Sequence, residues 1–277
     1  HDAQGRVVRI ESPEGIVSYA YDLFGRKTKT MIGEAGAPTS ETRYRYDALG
    51  RLAGVDVVER NGVTIDSDPG TAGNQPESTG YRYDLVGNLD RTDNPNGVVT
   101  DYVFDSMNRL DKLIHYAPDG TPENLADNDK LAEFDYTVRE DGRRTGIVEK
   151  FWVDTGSGIE EVTNTVSWEY DELNRLIDEI FVTDADDLLD PVSLPDGTRA
   201  WTDYSDHFTY DLTGNRLEKT TDLGNNSTVD ETVTYVYDSN DRLLEEVKDV
   251  ASGTDTTTQY GFDRTQQTSK EVYEGLP

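Results

Sequence analysis

The sequence predicts an all-β protein assembled from antiparallel β-hairpins in tandem. A nine-residue phrase, of which "YRYDALGRL" from Tyr44 to Leu52 is the clearest copy, recurs from one end of the chain to the other. Around each copy the side chains alternate with the period of two that belongs to strands. There is also no cysteine, and no apolar run reaches the ~18 residues that a membrane span requires. Disulfide staples, thiolate metal sites and transmembrane helices are therefore excluded as organising devices. Self-similarity of this kind marks a repeat architecture, in which each unit leans on its neighbours.

The first element of the phrase is a strand. Its aromatic pairs are Tyr19 and Tyr21, Tyr44 and Tyr46, Tyr81 and Tyr83, Tyr102 and Phe104, Trp168 and Tyr170, Phe208 and Tyr210, and Tyr235 and Tyr237. Two residues apart in an extended chain, the members of a pair share one face, with residues such as Arg45 on the other. Thirteen of the 16 tyrosines fall inside the phrases, at structural spacing, and are read as a packed aromatic ladder.

The second element is a turn, Asp-x-x-Gly. Asp occupies its first position at Asp22, Asp47, Asp84, Asp105, Asp171, Asp211 and Asp238, because its carboxylate can accept a backbone N–H two residues on. The fourth position holds Gly25, Gly50, Gly87, Asn108, Asn174, Gly214 and Asp241. Gly, Asn and Asp are the residues that best tolerate a left-handed backbone, so this position answers to main-chain geometry. A type I turn followed by a left-handed residue is the three-residue hairpin that carries a bulge. Further copies start at His1, at Tyr136, where Arg139 takes the Asp position, and at Tyr260, where Gln266 takes the Gly position, making ten in all.

The third element is the basic residue after the turn, Arg26, Arg51, Arg109, Arg143, Arg175 or Arg242. It is read as a partner for the turn Asp or a neighbouring carboxylate, a contact of modest value when exposed. A second strand follows, then a variable reversal that often carries a turn dipeptide, as at Asn61-Gly62, Asn96-Gly97, Asp119-Gly120 and Asp196-Gly197. Successive Asp positions lie 20 to 40 residues apart, so insertions collect at the variable reversals, on one edge of the sheet. Asp66–Ser78, Pro118–Lys130 and Thr183–Thr198 are the expected long loops. The segment "PENLADNDKLAEF" (Pro122 to Phe134) also permits a helical insertion. No linker separates two composition regimes, and residues 1–277 are expected to form one continuous array. Because the chain starts at His1 without Met, it is expected to be a piece of a larger protein.

The phrases resemble the tyrosine-aspartate (YD) repeats of the RHS family, found also in bacterial insecticidal toxin complexes, wall-associated proteins and teneurins. The resemblance spans nearly the whole chain. It implies hairpins winding as a spiral sheet, either a shell wall or a fibre-like array, in a secreted or surface-exposed bacterial protein. In bacterial members such a cocoon houses a toxic C-terminal domain. The family's core segment with its autoproteolytic aspartates is not matched, since Asp68-Pro69-Gly70 departs from the DP-x-G signature and lacks the aromatic context. Self-cleavage and encapsulation are therefore not carried over to these residues; the wall element is.

Composition narrows the partners. The hydrophobic fraction is 34% and the net charge −30, values that approach those of disordered chains. The patterned aromatics oppose disorder. The acidity disfavours nucleic acid and anionic membrane surfaces, which bind through Lys and Arg. The expected partners are other segments of the same polypeptide or further copies of it, and an encapsulated effector domain. A carbohydrate- or cell-surface-binding module, assisted by Ca²⁺, is the alternative reading. No catalytic residue and no cofactor is expected: His1, His115 and His207 lack ligand spacing, and 56 acidic residues allow carboxylate pairs to be drawn anywhere. "DADDLLD" offers Asp184, Asp186, Asp187 and Asp190 as oxygen ligands, as does "DND" at Asp127–Asp129. Without the Gly and terminal Glu of an EF-hand loop they read as solvated acidic loops. Asn225-Asn226-Ser227-Thr228 holds two overlapping N-x-[ST] sequons in an expected loop.

Overall fold

Among the described residues of the computed structural model, every regular element is a β-strand. The structure describes residues 1–277 apart from 14, 35–36, 66–76, 119–124, 126–127, 155–157, 185–201, 263–266 and 275–277. Among the described residues there are twenty strands and no helix, and every pairing is antiparallel. The chain divides into two units, His1–Ala132 and Glu133–Pro277.

The first unit contains β1 (Arg9–Ser12), β2 (Gly15–Tyr21), β3 (Lys27–Glu34), β4 (Ala37–Tyr46), β5 (Leu52–Arg60), β6 (Val63–Thr64), β7 (Glu77–Tyr83), β8 (Leu89–Asp93), β9 (Val99–Phe104) and β10 (Leu110–Tyr116). Hydrogen bonds join β1, β2, β3, β4, β5, β7, β8, β9 and β10 in that order, with the short β6 folded back on β5. This is a meander, so its connections alternate between two edges. The turns 22–26, 47–51, 84–88 and 105–109 fall on one edge. The variable reversals fall on the other.

β11 (Lys130–Val138) begins in the first unit and runs into the second. The second unit continues with β12 (Arg144–Asp154), β13 (Ile159–Tyr170), β14 (Leu176–Thr183), β15 (Tyr204–Tyr210), β16 (Arg216–Leu223), β17 (Glu231–Tyr237), β18 (Leu243–Val250), β19 (Thr256–Phe262) and β20 (Gln267–Glu274). From β12 to β20 each strand pairs with the next, again as a meander.

The two faces of each meander differ in chemistry because the pleat sorts them. In the first unit Tyr19, Thr30, Thr42, Tyr44, Val55, Thr79, Tyr81, Thr92, Thr100, Tyr102 and Leu113 follow one another across paired strands on one face. The opposite face carries a ladder of ion pairs. Glu41 joins Lys29 (3.1 Å) and Arg43 (2.7 Å), Asp56 joins Arg45 (2.8 Å), and Asp93 joins Arg91 (2.6 Å) and Arg82 (3.4 Å). Burial raises the Glu41 carboxyl, and the hydrogen bonds from Arg43 and Lys29 outweigh it, leaving a net lowering. A small apolar centre forms where Val99, Ile114 and Tyr116 pack with Leu125.

In the second unit, alternate residues of β13 are buried: Val162, Asn164 and Val166. Ile147, Phe208 and Val233 are buried as well. Burial of one side chain of this size is worth about 1.5–3 kcal/mol, so a single-layer sheet gains its stability in many small increments along the array.

The helical reading of Pro122–Phe134 is overturned where the structure describes it, since Lys130–Phe134 is strand. Leu131 and Phe134 satisfy a helical spacing, but the stretch continues extended to Val138, and Phe134 meets Phe151 edge-on at 5.8 Å. Of the expected long loops, Glu77 and Ser78 belong to β7 and Thr183 closes β14, while 66–76 and 185–198 lie outside the described residues.

Candidate functional site

The recurring turn is built by one aspartate carboxylate. At Asp47, Oδ1 accepts hydrogen bonds from the backbone N–H groups of Leu49 and Arg51, both at 2.9 Å, while Oδ2 accepts from Arg51 Nε at 2.7 Å. The backbone closes the loop twice, from Gly50 N to Asp47 O (3.0 Å) and from Asp47 N to Arg51 O (2.9 Å). This is a type I turn followed by a left-handed residue, and the strand register shifts there, between Arg45 and Tyr46. Gly50 has φ 83°. Where a side chain occupies the same place, the backbone is equally left-handed: φ is 65° at Asn108, 67° at Asn174 and 59° at Asp241.

The same pattern of bonds recurs at Asp2, Asp22, Asp105, Asp171 and Asp238, each paired with the Arg four residues on. At Asp84 and Asp211 an Asn takes the Arg place and donates its side-chain amide instead. In the odd copy, where Arg139 replaces Asp, Asp141 moves into the role and takes both Arg139 and Arg143. The turn carboxylates sit below the ordinary carboxylate range. For Asp211, burial acts upward, but the bonds from Thr213, Asn215 and Gly214 prevail and bring it to about 2. An acid held ionised in this way and engaged on both oxygens is no proton donor at neutral pH.

The structure also shows what the arginine and the second aromatic do, and the partner of each lies in the adjacent copy. Arg26 lies over the ring of Tyr46 at 4.6 Å, and the Tyr46 hydroxyl donates back to the carbonyl of Lys27, the residue after that arginine, at 2.7 Å. Arg6 and Tyr21 repeat the arrangement, with the ring at 4.6 Å and the hydroxyl on Val7 O at 2.8 Å. So do Arg51 and Tyr83, with the hydroxyl on Leu52 O, and Arg175 and Tyr210, with the hydroxyl on Leu176 O. Arg143 over Tyr170 and Arg242 over Phe262 keep the stacking. Some arginines reach further, to the next turn itself: Arg175 Nη1 donates to Asp211 O at 2.8 Å, and Arg6 Nη1 to Asp22 O at 3.3 Å.

This reach bears on the residue at the left-handed position in the first copies. A Cβ at Gly50 would stand 3.2 Å from Arg26 Nη1, and one at Gly25 3.5 Å from Arg6 Nη1. Arg6 thus faces Gly25 and Arg26 faces Gly50 in the next copy, whereas Arg143 is followed by Asn174 at the same position. Where the preceding copy ends in the shorter asparagine, a polar side chain fills the gap: Asn88 exchanges hydrogen bonds with Asn108, and Asn215 Nδ2 donates to Asp241 Oδ1 at 2.8 Å.

Among the first aromatics of the pairs, Tyr44 stands 3.4 Å from Thr30 Oγ1, Trp168 Nε1 donates to Glu179 at 2.8 Å, and Arg216 lies over Phe208 at 4.6 Å. The reversal expected at Asn96-Gly97 is present and has the build of the recurring turn. Asn94 plays the Asp part between β8 and β9, with Asn94 N bonded to Val98 O and Gly97 N to Asn94 O, both at 2.9 Å. Its signal was the Asn94-x-x-Gly97 spacing.

The weaker candidates stay apart. Asp184 exchanges hydrogen bonds with the backbone of Thr163, whereas Asp186, Asp187 and Asp190 lie outside the described residues, as do Asp68-Pro69-Gly70, Asp127, Asp263 and Gln266. Among the described residues, no three His, Cys, Asp or Glu side chains converge to hold a metal. His115 meets Thr100 Oγ1 at 3.0 Å, and burial lowers its pKa. His207 meets Asp178 at 2.7 Å on an exposed surface.

Residues 1–38 match the family model of the RHS repeat. No curated protein sequence matches the chain. Among solved structures the chain is similar to TcdB2-TccC3-Cdc42, with a TM-score of 0.52 and 14% identity over 94% of this chain and 15% of that one. TcdB2-TccC3-TEV and the Photorhabdus luminescens Tc holotoxin pore each give a TM-score of 0.53 at 14% identity, over 93% of this chain and 15% of theirs. The likeness is one of fold, and the chain spans about 15% of the length of these proteins. The resemblance to RHS repeats read from the phrases is borne out, as is the all-β antiparallel class.

Proposed function

We propose that the chain is a non-catalytic wall segment of a large secreted or surface-exposed bacterial protein, one continuous array of YD repeats that forms part of an encapsulating shell. One observation carries this reading: in copy after copy the Asp, Arg and second Tyr of the phrase are spent on closing a turn and fastening it to the next copy. At the described turns the phrase Asp is engaged by the main chain and by the Arg or Asn that follows, and Tyr21, Tyr46, Tyr83 and Tyr210 are engaged by main-chain carbonyls. The shared fold with the Tc toxin structures supports the shell form, in which other segments of the same polypeptide complete the wall and an effector domain is enclosed.

The test is negative-stain electron microscopy of the full polypeptide that contains this segment. Hollow particles with a stain-filled lumen are expected. Continuous rods would replace the shell by a fibre of the same repeats, and solid globular particles would overturn the wall reading.

A further inference from the structure

The edge that carries the recurring turns is unusually apolar. At the tips of the turns in the first unit, Leu23, Phe24, Leu49, Leu85, Val86 and Met107 are 102%, 85%, 79%, 106%, 78% and 59% exposed. These are the central positions of a type I turn, which place few demands on side-chain type, so the turn itself does not call for leucine, phenylalanine or valine there. Singly exposed apolar residues need no explanation, but a row of them on one edge marks an interaction surface.

Three further observations identify the occupant. The first is electrical. The segments 2–6, 22–26, 47–51, 84–88 and 105–109 contain five Asp and four Arg, a net of −1, in a chain whose net charge is −30. The ion pairs Asp22–Arg26, Asp47–Arg51 and Asp105–Arg109 cancel the charge locally. This edge therefore carries less charge per residue than the chain as a whole, which lowers the repulsion that a second, equally acidic copy meets. The second is spacing. Successive turns are two strands apart, about 9.6 Å at the usual strand separation. The four from 22–26 to 105–109 each present an apolar tip (Phe24, Leu49, Val86, Met107), which makes a comb that an identical comb can enter in the antiparallel sense. The third is size. Six open side chains of these types present an area on the order of the ~800 Å² per partner of a standard protein interface.

We propose that the turn edge of His1–Ala132 docks against the same edge of a second copy of this chain. The proposal rests on the wall reading and names the seam by which one stretch of repeat wall joins another. Because the contact is apolar and the surrounding charge repulsive, salt strengthens it by screening the repulsion.

Sedimentation velocity of the 277-residue chain over a concentration series tests it. The expected result is a reversible dimer whose dissociation constant falls as NaCl is raised. Leu23→Ser with Leu85→Ser removes two fully exposed side chains and should weaken it at least tenfold. The exposed pair Leu49→Ser with Val86→Ser provides a second disruption, with folding of both variants checked by circular dichroism. A chain that stays monomeric throughout, a dimer that salt weakens, or folded variants that dimerise as tightly as the parent would each overturn the seam. A solid particle by electron microscopy would remove the wall reading while leaving the turn-edge dimer to stand or fall on its own measurement.

Discussion

Four tyrosine hydroxyls make the same bond in four different copies, and replacing each with Phe isolates that bond. The donors are Tyr21, Tyr46, Tyr83 and Tyr210, and the acceptors are the carbonyls of Val7, Lys27, Leu52 and Leu176 at 2.7–2.8 Å. All four bonds are partly buried and each ring keeps its arginine, so Tyr→Phe removes one hydrogen bond and strands one carbonyl. A typical intramolecular hydrogen bond is worth about 0.5–1.5 kcal/mol net, and each substitution should cost about 1 kcal/mol. Tyr44 is the internal control, because its hydroxyl stands 3.4 Å from Thr30 Oγ1 and Tyr44→Phe should cost about 0.3 kcal/mol or less. Nature provides the reverse case in Phe262, which lies under Arg242 at 5.0 Å without a hydroxyl; Phe262→Tyr should stabilise. The readout is urea denaturation followed by far-ultraviolet circular dichroism, since all three tryptophans follow residue 150 and report poorly on Tyr21, Tyr46 and Tyr83. If Tyr44→Phe costs as much as Tyr46→Phe, the hydroxyl-to-carbonyl bond is not what joins the copies.

Further expectations concern the turn itself. Gly50→Ala puts a Cβ at φ 83° and 3.2 Å from Arg26 Nη1, and should lower stability by about 1–2 kcal/mol. By contrast, Asn174→Gly at φ 67° should stay within about 0.5 kcal/mol, read from the same denaturation curves. Exchanging the pair Asn88→Arg and Asn108→Gly together should restore much of the stability that either change removes alone, as the pair then reproduces Arg26 facing Gly50; purely additive effects in a double-mutant cycle would contradict this. Acid should unfold the array in a defined window. The turn aspartates have folded pKa values depressed below their unfolded value of 3.8, so their contribution is complete above that value and is lost as pH falls toward the folded value, about 2 for Asp211. Asp211→Asn should flatten the loss between pH 4 and 2 in thermal melts, and an unchanged slope would contradict the assignment.

The turn was legible in the sequence because everything that makes it is local. Asp47, Gly50 and Arg51 lie within five residues, and the same left-handed φ at Asn108 and Asn174 follows from what those side chains tolerate. The fastening of Arg26 to Tyr46 was not legible. Its partner lies twenty residues ahead here but thirty-two ahead between Arg51 and Tyr83, so no fixed spacing announces it. The expectation that the arginine pairs with the turn Asp found one half of its role, the half that lies inside the copy. The reversal at Asn96-Gly97 was legible, but its likeness to the recurring turn was not, because Arg91 and Asp93 stand where the phrase has aromatics. The strand at Lys130–Phe134 was ambiguous for the reason common to short apolar stretches, where two or three contacts fit either period. The ion ladder of Glu41, Asp56 and Asp93 depends on strand register, which only the paired coordinates supply.

The claim that one repeat is clasped by the arginine of the preceding repeat is tested most directly by a double-mutant cycle between Arg26 and Tyr46, set beside one between Arg26 and Tyr83. Arginine over an aromatic ring at a partly exposed site contributes about 0.5–1 kcal/mol, and the first cycle should return a coupling of that size. The second should return none, since Tyr83 is held by Arg51. Equal couplings in the two cycles, or none in the first, would mean that the arginine does not clasp the next repeat.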